Sequence, residues 1–262
     1  MEKKVAVLIT SYNRKETTAK CLDSLFNCKK NHGFLLKIFL VDDKCPDQTG
    51  KHVKFLFPKV NVIYGSGDLY WNRGMILAWN EALRNDDFDF FIWLNDDTFL
   101  FKNAIKMLFD SYYKVNEDCI VVASTKDPKD GDFSYGGRDS NGNPIIPNGD
   151  LQESKIINGN LVLVSKKTVD KIGILSKKFS HSLGDIDYGL RAYEKGIRSY
   201  ILPDYAGYCL KNNNIDWNNP KKSLFYRLAQ IGKPNSIVLK EHYYFHKRHV
   251  NQLSAFMILI KI

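Results

Sequence analysis

The chain has 262 residues, 44% hydrophobic and 26% charged, with only 17 glycines and 8 prolines. That suffices for one sizeable core and excludes a disordered tail protein, a collagen-like fibre and a disulfide-stapled miniprotein. The formal charge of +9 is concentrated late: from Lys211 onward nine Lys and Arg face only Asp216 and Glu241, and the preceding residues are nearly neutral.

Met1-Glu2-Lys3-Lys4 leads into a short apolar run, too brief and wrongly followed for a signal peptide. Residues 5–10, 38–41, 60–64 and 90–94 are apolar almost throughout and read as buried strands. Between them, residues 15–26 set Ala19, Leu22, Leu25 and Phe26 on one side of a helix. Residues 74–84 do the same with Met75, Ala78, Trp79, Ala82 and Leu83. Such alternation predicts an α/β fold with a mostly parallel central sheet flanked by helices, which binds ligands at the carboxyl ends of its strands. Residues 131–150, rich in Gly, Asn, Asp and Pro, read as a long loop, a candidate lid or acceptor loop. Asn158-Gly159-Asn160 leads into a strand over 161–164, a helix follows over 166–172, and Gly184-Asp185-Ile186-Asp187 opens a helix ending near Gly196. Cys21, Cys28, Cys45, Cys119 and Cys209 form an odd set without a Cys-x-x-Cys pair, which reads as a reduced, intracellular protein.

The polar residues after the strands are the ones to inspect: Thr10-Ser11-Tyr12-Asn13-Arg14, Asp42-Asp43 and Asn95-Asp96-Asp97-Thr98. Adjacent acids are costly unless a cation or hydrogen bonds compensate them. Oxygen ligands without nearby His or Cys favour Mg²⁺ or Mn²⁺ over zinc, and two carboxylates suit a metal shared with a diphosphate. The plainer alternative is that Asp97 or Thr98 caps a helix starting near Lys102. Asp42 and Asp43 suit hydrogen bonds from a base or ribose, or simply a turn. Asp185 and Asp187 suit a general base at a cleft mouth, or acids complementing a helix dipole.

Four stretches in order resemble the family-2 glycosyltransferases, near their bacterial rhamnosyltransferase-like members. They are residues 5–14 (Val-Ala-Val-Leu-Ile-Thr-Ser-Tyr-Asn-Arg), Leu40-Val41-Asp42-Asp43, Trp93-Leu94-Asn95-Asp96-Asp97, and residues 184–191 (Gly-Asp-Ile-Asp-Tyr-Gly-Leu-Arg). The resemblance covers roughly residues 4–210. It implies the GT-A nucleotide-diphospho-sugar transferase fold and inverting transfer by single displacement onto an acceptor hydroxyl. By that resemblance Thr10 and Tyr12 line the base pocket with Arg14 beside them, and Asp42 binds the base edge. Asp96 touches ribose or sugar, and Asp97 holds Mn²⁺ or Mg²⁺ across the diphosphate. Asp185 is the catalytic base, and Asp187 orients its helix or the acceptor. The chain departs from the pattern at Gly184, where the family has Glu, and at Tyr70-Trp71-Asn72-Arg73-Gly74. There Trp71 replaces an arginine, leaving Asn72 and Arg73 for the donor. Where many members place a late metal-binding His, this chain has Tyr208-Cys209.

The expected organisation is thus a transferase domain over 1–210, with a nucleotide-binding half to about residue 100 and an acceptor-binding half after it. A basic, aromatic helical extension follows over 211–262. Expected partners are a UDP-, dTDP- or GDP-linked sugar and a saccharide or lipid-linked acceptor of polysaccharide, capsule or lipopolysaccharide synthesis. No nucleic acid is expected, because the body has no basic field; a homo-oligomer is open. The tail, with Phe225, Tyr226, Tyr243, Tyr244, Phe245 and an apolar run over 255–260, suits an interfacial anchor on an anionic membrane's cytoplasmic face. It equally suits a basic helix packing one face on the body, and His242, His246 and His249 read as interfacial or surface residues. The alternatives to a transferase are a nucleotidyltransferase of the same fold and a non-catalytic sugar- or lipid-binding module. The former usually wants a Gly-rich phosphate loop after the first strand, and residues 10–14 hold no glycine.

Overall fold

The computed structural model describes residues 2–28, 33–211, 223, 225–226, 238–254 and 257. β1 (Lys3–Ser11), α1 (Lys15–Cys28), β2 (Phe34–Asp42), α2 (Thr49–Leu56), β3 (Asn61–Tyr64), α3 (Tyr70–Asn85) and β4 (Phe90–Leu94) form the first half. β5 (Phe99–Leu100), α4 (Ala104–Val115), β6 (Cys119–Lys126), β7 (Phe133–Tyr135), β8 (Gln152–Ser154) and β9 (Leu161–Ser165) follow. α5 (Lys166–Ile172), α6 (Gly184–Glu194), β10 (Arg198–Tyr208) and α7 (Leu239–His249) complete it.

The strands make one sheet in the order β3-β2-β1-β4-β9-β6-β10-β5, with β7 beside β6 and β8 beside β10. The first-half strands β3, β2, β1 and β4 are parallel. β9 then runs antiparallel to both β4 and β6, and β10 parallel to β6. The expected α/β sheet flanked by helices is therefore present, with antiparallel pairing confined to its second half.

The strands lack alternation because both faces are covered. Val5, Val7 and Ile9 of β1 pack with Leu22 and Leu25 of α1 and with Ile105 and Leu108 of α4. Ala6 and Leu8 face the other way, toward Met75 and Trp79 of α3 and Tyr188 of α6. All these side chains are fully or almost fully buried.

The pairing fixes what meets at the sheet's upper edge. Ser11 is opposite Asp42, and Leu8 opposite Trp93 sets residues 95–97 beside the last residues of β1. β9, entering antiparallel, brings Asn160 there too: Asn95 N donates to Asn160 O at 2.9 Å. β10 runs parallel to β6 and ends at Tyr208, delivering Cys209 to the same place.

α7 is docked on the body. Glu241, 7% exposed, accepts from Ser180 N and Oγ at 3.0 and 2.7 Å. Phe179 lies against Tyr244 and Phe245. Thus α7 packs one face on the body, and no helix among the described residues is long and apolar enough to cross a membrane. The apolar run over 255–260 lies outside the described residues apart from Met257.

Candidate functional site

A cleft of about 970 Å³ opens at this edge. The end of β1 gives it a wall of Thr10, Ser11, Tyr12 and Arg14, and the adjacent end of β4 a floor of Asn95, Asp96 and Asp97; Asn160, His181 and Cys209 line it as well. Tyr12 is 57% exposed, so an aromatic ring stands free at the rim, where a planar base can stack.

At the floor, Arg14 Nη1 donates to Asp96 Oδ1 at 3.1 Å and Asp97 Oδ2 at 2.6 Å. Thr18 Oγ1 donates to Asp96 Oδ2 at 3.2 Å and is 2.9 Å from Ser11 Oγ. Asp96 is buried, and burial pushes its carboxyl up to about 6, against the pull of Arg14 and with the neighbouring Asp97 charge adding to the rise. Burial works against the Arg14 charge, but Asp96 and Asp97 outweigh it and raise its pKa further. Asp97 is more open, its side chain 35% exposed. Its Oδ1 is 3.7 Å from Cys209 Sγ, whose thiol is pushed up to about 12 by burial first and the Asp97 charge second.

Asp97 therefore offers a partly exposed oxygen ligand to the cleft. No cluster of three His, Cys, Asp or Glu side chains suited to a metal occurs among the described residues. That donor set cannot close a site alone, but it fits a hard cation whose remaining ligands are phosphate oxygens and water.

The two acids after β2 divide their work. Asp42 is 3% exposed and accepts from Cys45 N and Gly50 N, each at 2.6 Å. A Cβ on Gly50 would lie 2.4 Å from Asp42 Oδ2, so the approach requires glycine. Asp42 thus holds its own turn and is not part of the cleft wall. Asp43 is, and it accepts from Gly67 N and Leu69 N at 2.7 and 2.8 Å.

Asn72 is buried behind the wall, its Nδ2 donating to Ser176 O at 2.9 Å and Phe179 O at 2.8 Å. Arg73 is exposed and lies off the cleft. Trp71, which stands at the departure from the family pattern, lines it instead, with Nε1 donating to Asn95 Oδ1 at 2.6 Å. Gly184 has a local cause: a Cβ there would lie 1.9 Å from Asn72 Oδ1.

Asp185 sits in the first turn of α6, accepting from Gly159 N at 3.0 Å and Ile186 N at 2.9 Å. Burial raises its pKa, and those backbone N–H groups limit the rise. It is not among the residues that line the cleft; Gly159, which donates to it, packs against the Trp71 ring, where a Cβ would lie 2.4 Å from Trp71 Cζ2. Asp187 is fully buried and turned toward the tail. It accepts from Arg191 Nε at 2.8 Å and pairs with His249 Nε2 at 2.9 Å and Arg248 at 3.3 Å. The pairs with His249 and Arg248 tie α7 to α6.

The floor and the β1 wall thus assemble from residues the motifs indicate. Asp43 and Asn95 lie in the strand-end clusters that the sequence singles out, whereas Asn160, His181 and Cys209 have no site role in the sequence reading. Asn160 could have been found, since it opens the β9 strand in an Asn-Gly-Asn stretch; His181 lies in a loop with no sequence signal.

Residues 6–173 match glycosyl transferase family 2. The chain belongs to that family. This family-2 glycosyltransferase is 26% identical over 119 residues to a Methanococcus voltae enzyme, dolichyl N-acetyl-alpha-D-glucosaminyl phosphate 3-beta-D-2,3-diacetamido-2,3-dideoxy-beta-D-glucuronosyltransferase. The match takes in 44% of this chain and 35% of that relative, so it spans little more than a third of the relative's length. Among solved structures it resembles S. aureus TarS (residues 1–349) in complex with UDP-GlcNAc, with a TM-score of 0.61 and 14% identity, over 99% of this chain and 71% of that one. It also resembles the mannosyltransferase PcManGT of Pyrobaculum calidifontis in complex with GDP-Man and Mn²⁺. There the TM-score is 0.56 and the identity 16%, over 98% and 64% of the two chains. The fold shared with them is GT-A.

Proposed function

We propose that the protein moves a sugar from a nucleotide-diphospho-sugar to a hydroxyl of a saccharide or lipid-linked glycan, with inversion. One observation carries the reading. Tyr12, Arg14, Asp96 and Asp97, from two parallel strand ends, converge on one cleft large enough for a nucleotide sugar. The nucleotide sugars bound by the TarS and PcManGT structures, and the lipid-linked acceptor in the archaeal relative's name, support the donor and acceptor classes.

In this reading the base stacks on Tyr12, and Asp43 shapes the rim by fixing residues 65–69. Asp96 accepts a hydroxyl of ribose or sugar. Arg14 gives its guanidinium to the diphosphate, leaving Asp97 free for a cation. Mn²⁺ or Mg²⁺, held by Asp97 and the donor's phosphates, would supply positive charge near the leaving group. Asp185 takes the proton of the acceptor hydroxyl, and its raised pKa suits it to that task. The hydroxyl oxygen forms the new bond to the anomeric carbon as the bond to the diphosphate breaks. Asp185 is linked to the cleft-lining Trp71 through Gly159, and in this reading the Trp71 ring shifts to admit the acceptor when substrates bind. Attachment to an anionic membrane surface through the tail is compatible with α7 docking, since only one face of that helix is engaged.

Calorimetry with UDP, dTDP, GDP and CDP, each with and without Mn²⁺, tests this. Metal-dependent binding of one nucleotide, lost in Asp97→Ala, supports the reading; binding of none overturns it. The matching sugar nucleotides, dTDP-rhamnose included, then identify the donor.

A further inference from the structure

We infer that His181 is a donor contact of this cleft, giving a hydrogen bond from Nε2–H to the sugar-proximal phosphate of the nucleoside diphosphate. The inference rests on the nucleotide-sugar reading and adds a residue that no motif in the chain marks.

Four observations carry it. His181 lines the same cleft as Arg14, yet its Nδ1 is sealed from solvent without a hydrogen-bond partner. A buried unpaired N–H costs more than an unpaired lone pair, so the proton belongs on Nε2. No protein group among the described residues takes that proton, and Nε2, unlike Nδ1, is not sealed off, so water or a ligand in the cleft can accept it. Burial and then the Arg14 charge lower the imidazole's pKa, so the ring is a neutral donor at pH 7.

The ring is also held in place. Its edge packs on Tyr70, centroids 6.3 Å apart at 72°. The preceding Ser180 is fixed from both sides, by Glu241 through N and Oγ and by Asn72 N, which donates to its carbonyl at 3.0 Å. Tyr70 and Leu183, which flank it in space and in sequence, have φ of +56° and +67°. Bulky side chains rarely adopt that backbone, and such strain clusters at functional sites. The Arg14 charge reaches the His181 ring and Asp185 follows it by four residues, so a phosphate that takes the Arg14 guanidinium and carries the sugar attacked near Asp185 falls beside His181.

The test compares the nucleoside diphosphate that the wild type binds, among UDP, dTDP, GDP and CDP, with its monophosphate. In His181→Ala the diphosphate should bind about tenfold more weakly, the usual loss for a hydrogen bond to a charged group, and the monophosphate should be unaffected. His181→Gln, which keeps an N–H, should recover most of the affinity. His181→Phe, of similar size and without nitrogen, should behave like the alanine variant and replaces it if Ala loosens the fold in a thermal melt. Equal losses for both nucleotides, no loss for either, or no recovery in Gln would overturn the role of His181 alone. Failure of the wild type to bind any of the four would overturn this inference together with the nucleotide-sugar reading.

Discussion

Replacing Asp187 by Asn tests whether the tail is structurally part of the body. The carboxylate is fully buried among Arg191 at 2.8 Å, His249 at 2.9 Å and Arg248 at 3.3 Å. Asparagine keeps the shape and one acceptor oxygen but leaves Arg191 without its counter-charge, although Ile172 O and Ile174 O still accept from that guanidinium at 2.6 and 2.9 Å. Breaking a buried pair costs about 3–5 kcal/mol, and the retained bonds place this change near the lower figure, about 3 kcal/mol. For a chain of this size that is roughly 6–12 °C in Tm. The pH dependence has a definite sign. Burial raises the Asp187 pKa, but His249, Arg191 and Arg248 outweigh it and hold it below the ordinary carboxylate value. A depressed acid contributes its stability above the unfolded pKa of about 3.9 and loses it as pH falls through the folded value. The gap between wild type and Asp187→Asn should therefore be full at pH 7 and at pH 5, and close only below about pH 4. Thermal unfolding across that range measures it, and hydrogen exchange over α7 should show faster opening in the variant. A Tm within about 2 °C of wild type at pH 7, with exchange unchanged, would refute the clamp.

Gly184→Ala should cost about 1–3 kcal/mol, because Asn72, against which the new methyl would press, is fixed by two carbonyls; thermal melts read the loss. Asp42→Ala orphans two buried N–H groups and should lower stability by about 2–5 kcal/mol. Asp43→Ala, which frees Gly67 and Leu69 at the cleft rim, should weaken nucleotide binding as well; melts and calorimetry together separate the two. Asp185→Asn should cut sugar transfer by at least about 100-fold with nucleotide affinity essentially unchanged, and a parallel loss of nucleotide binding would count against its role as base.

The parts of the fold legible from sequence are those where burial leaves an unbroken pattern. Strands β1, β2 and β4, covered on both faces, show as apolar runs, and the end of each run marks the cleft. β6 meets the same criterion over residues 119–123, an apolar run as long as β4, and only its end departs from it; β10 escapes it for a physical reason. β6 carries buried Ser124 and Thr125, and β10 breaks register between Ile201 and Tyr205, around Pro203 and Asp204. The same limit applies to the site. Residue type and position show that a strand end carries acid, not which backbone that acid holds: of two neighbours of equal burial, Asp42 fixes its own turn and Asp43 fixes residues 67–69 at the cleft rim.

Backbone strain supplies what residue type does not. Asn13, Lys44, Gln48, Tyr70 and Leu183 all have φ between +54° and +67°, and each lies on a segment joining a strand end to the cleft or opening a helix beside it. Asn116, the remaining non-glycine of this kind among the described residues, simply ends α4. Strain of this sort costs about 1–3 kcal/mol per residue and persists only where the surroundings over-determine it. The surroundings here are identifiable: Asp42 and Asp43 bind the backbone of the loops that contain or flank Lys44, Gln48 and Tyr70, while Glu241 anchors the segment that leads to Leu183. Asp42, Asp43 and Glu241, buried carboxylates bonded to backbone, are therefore what hold the cleft rim in shape, and through Glu241 the helix α7 belongs to that set.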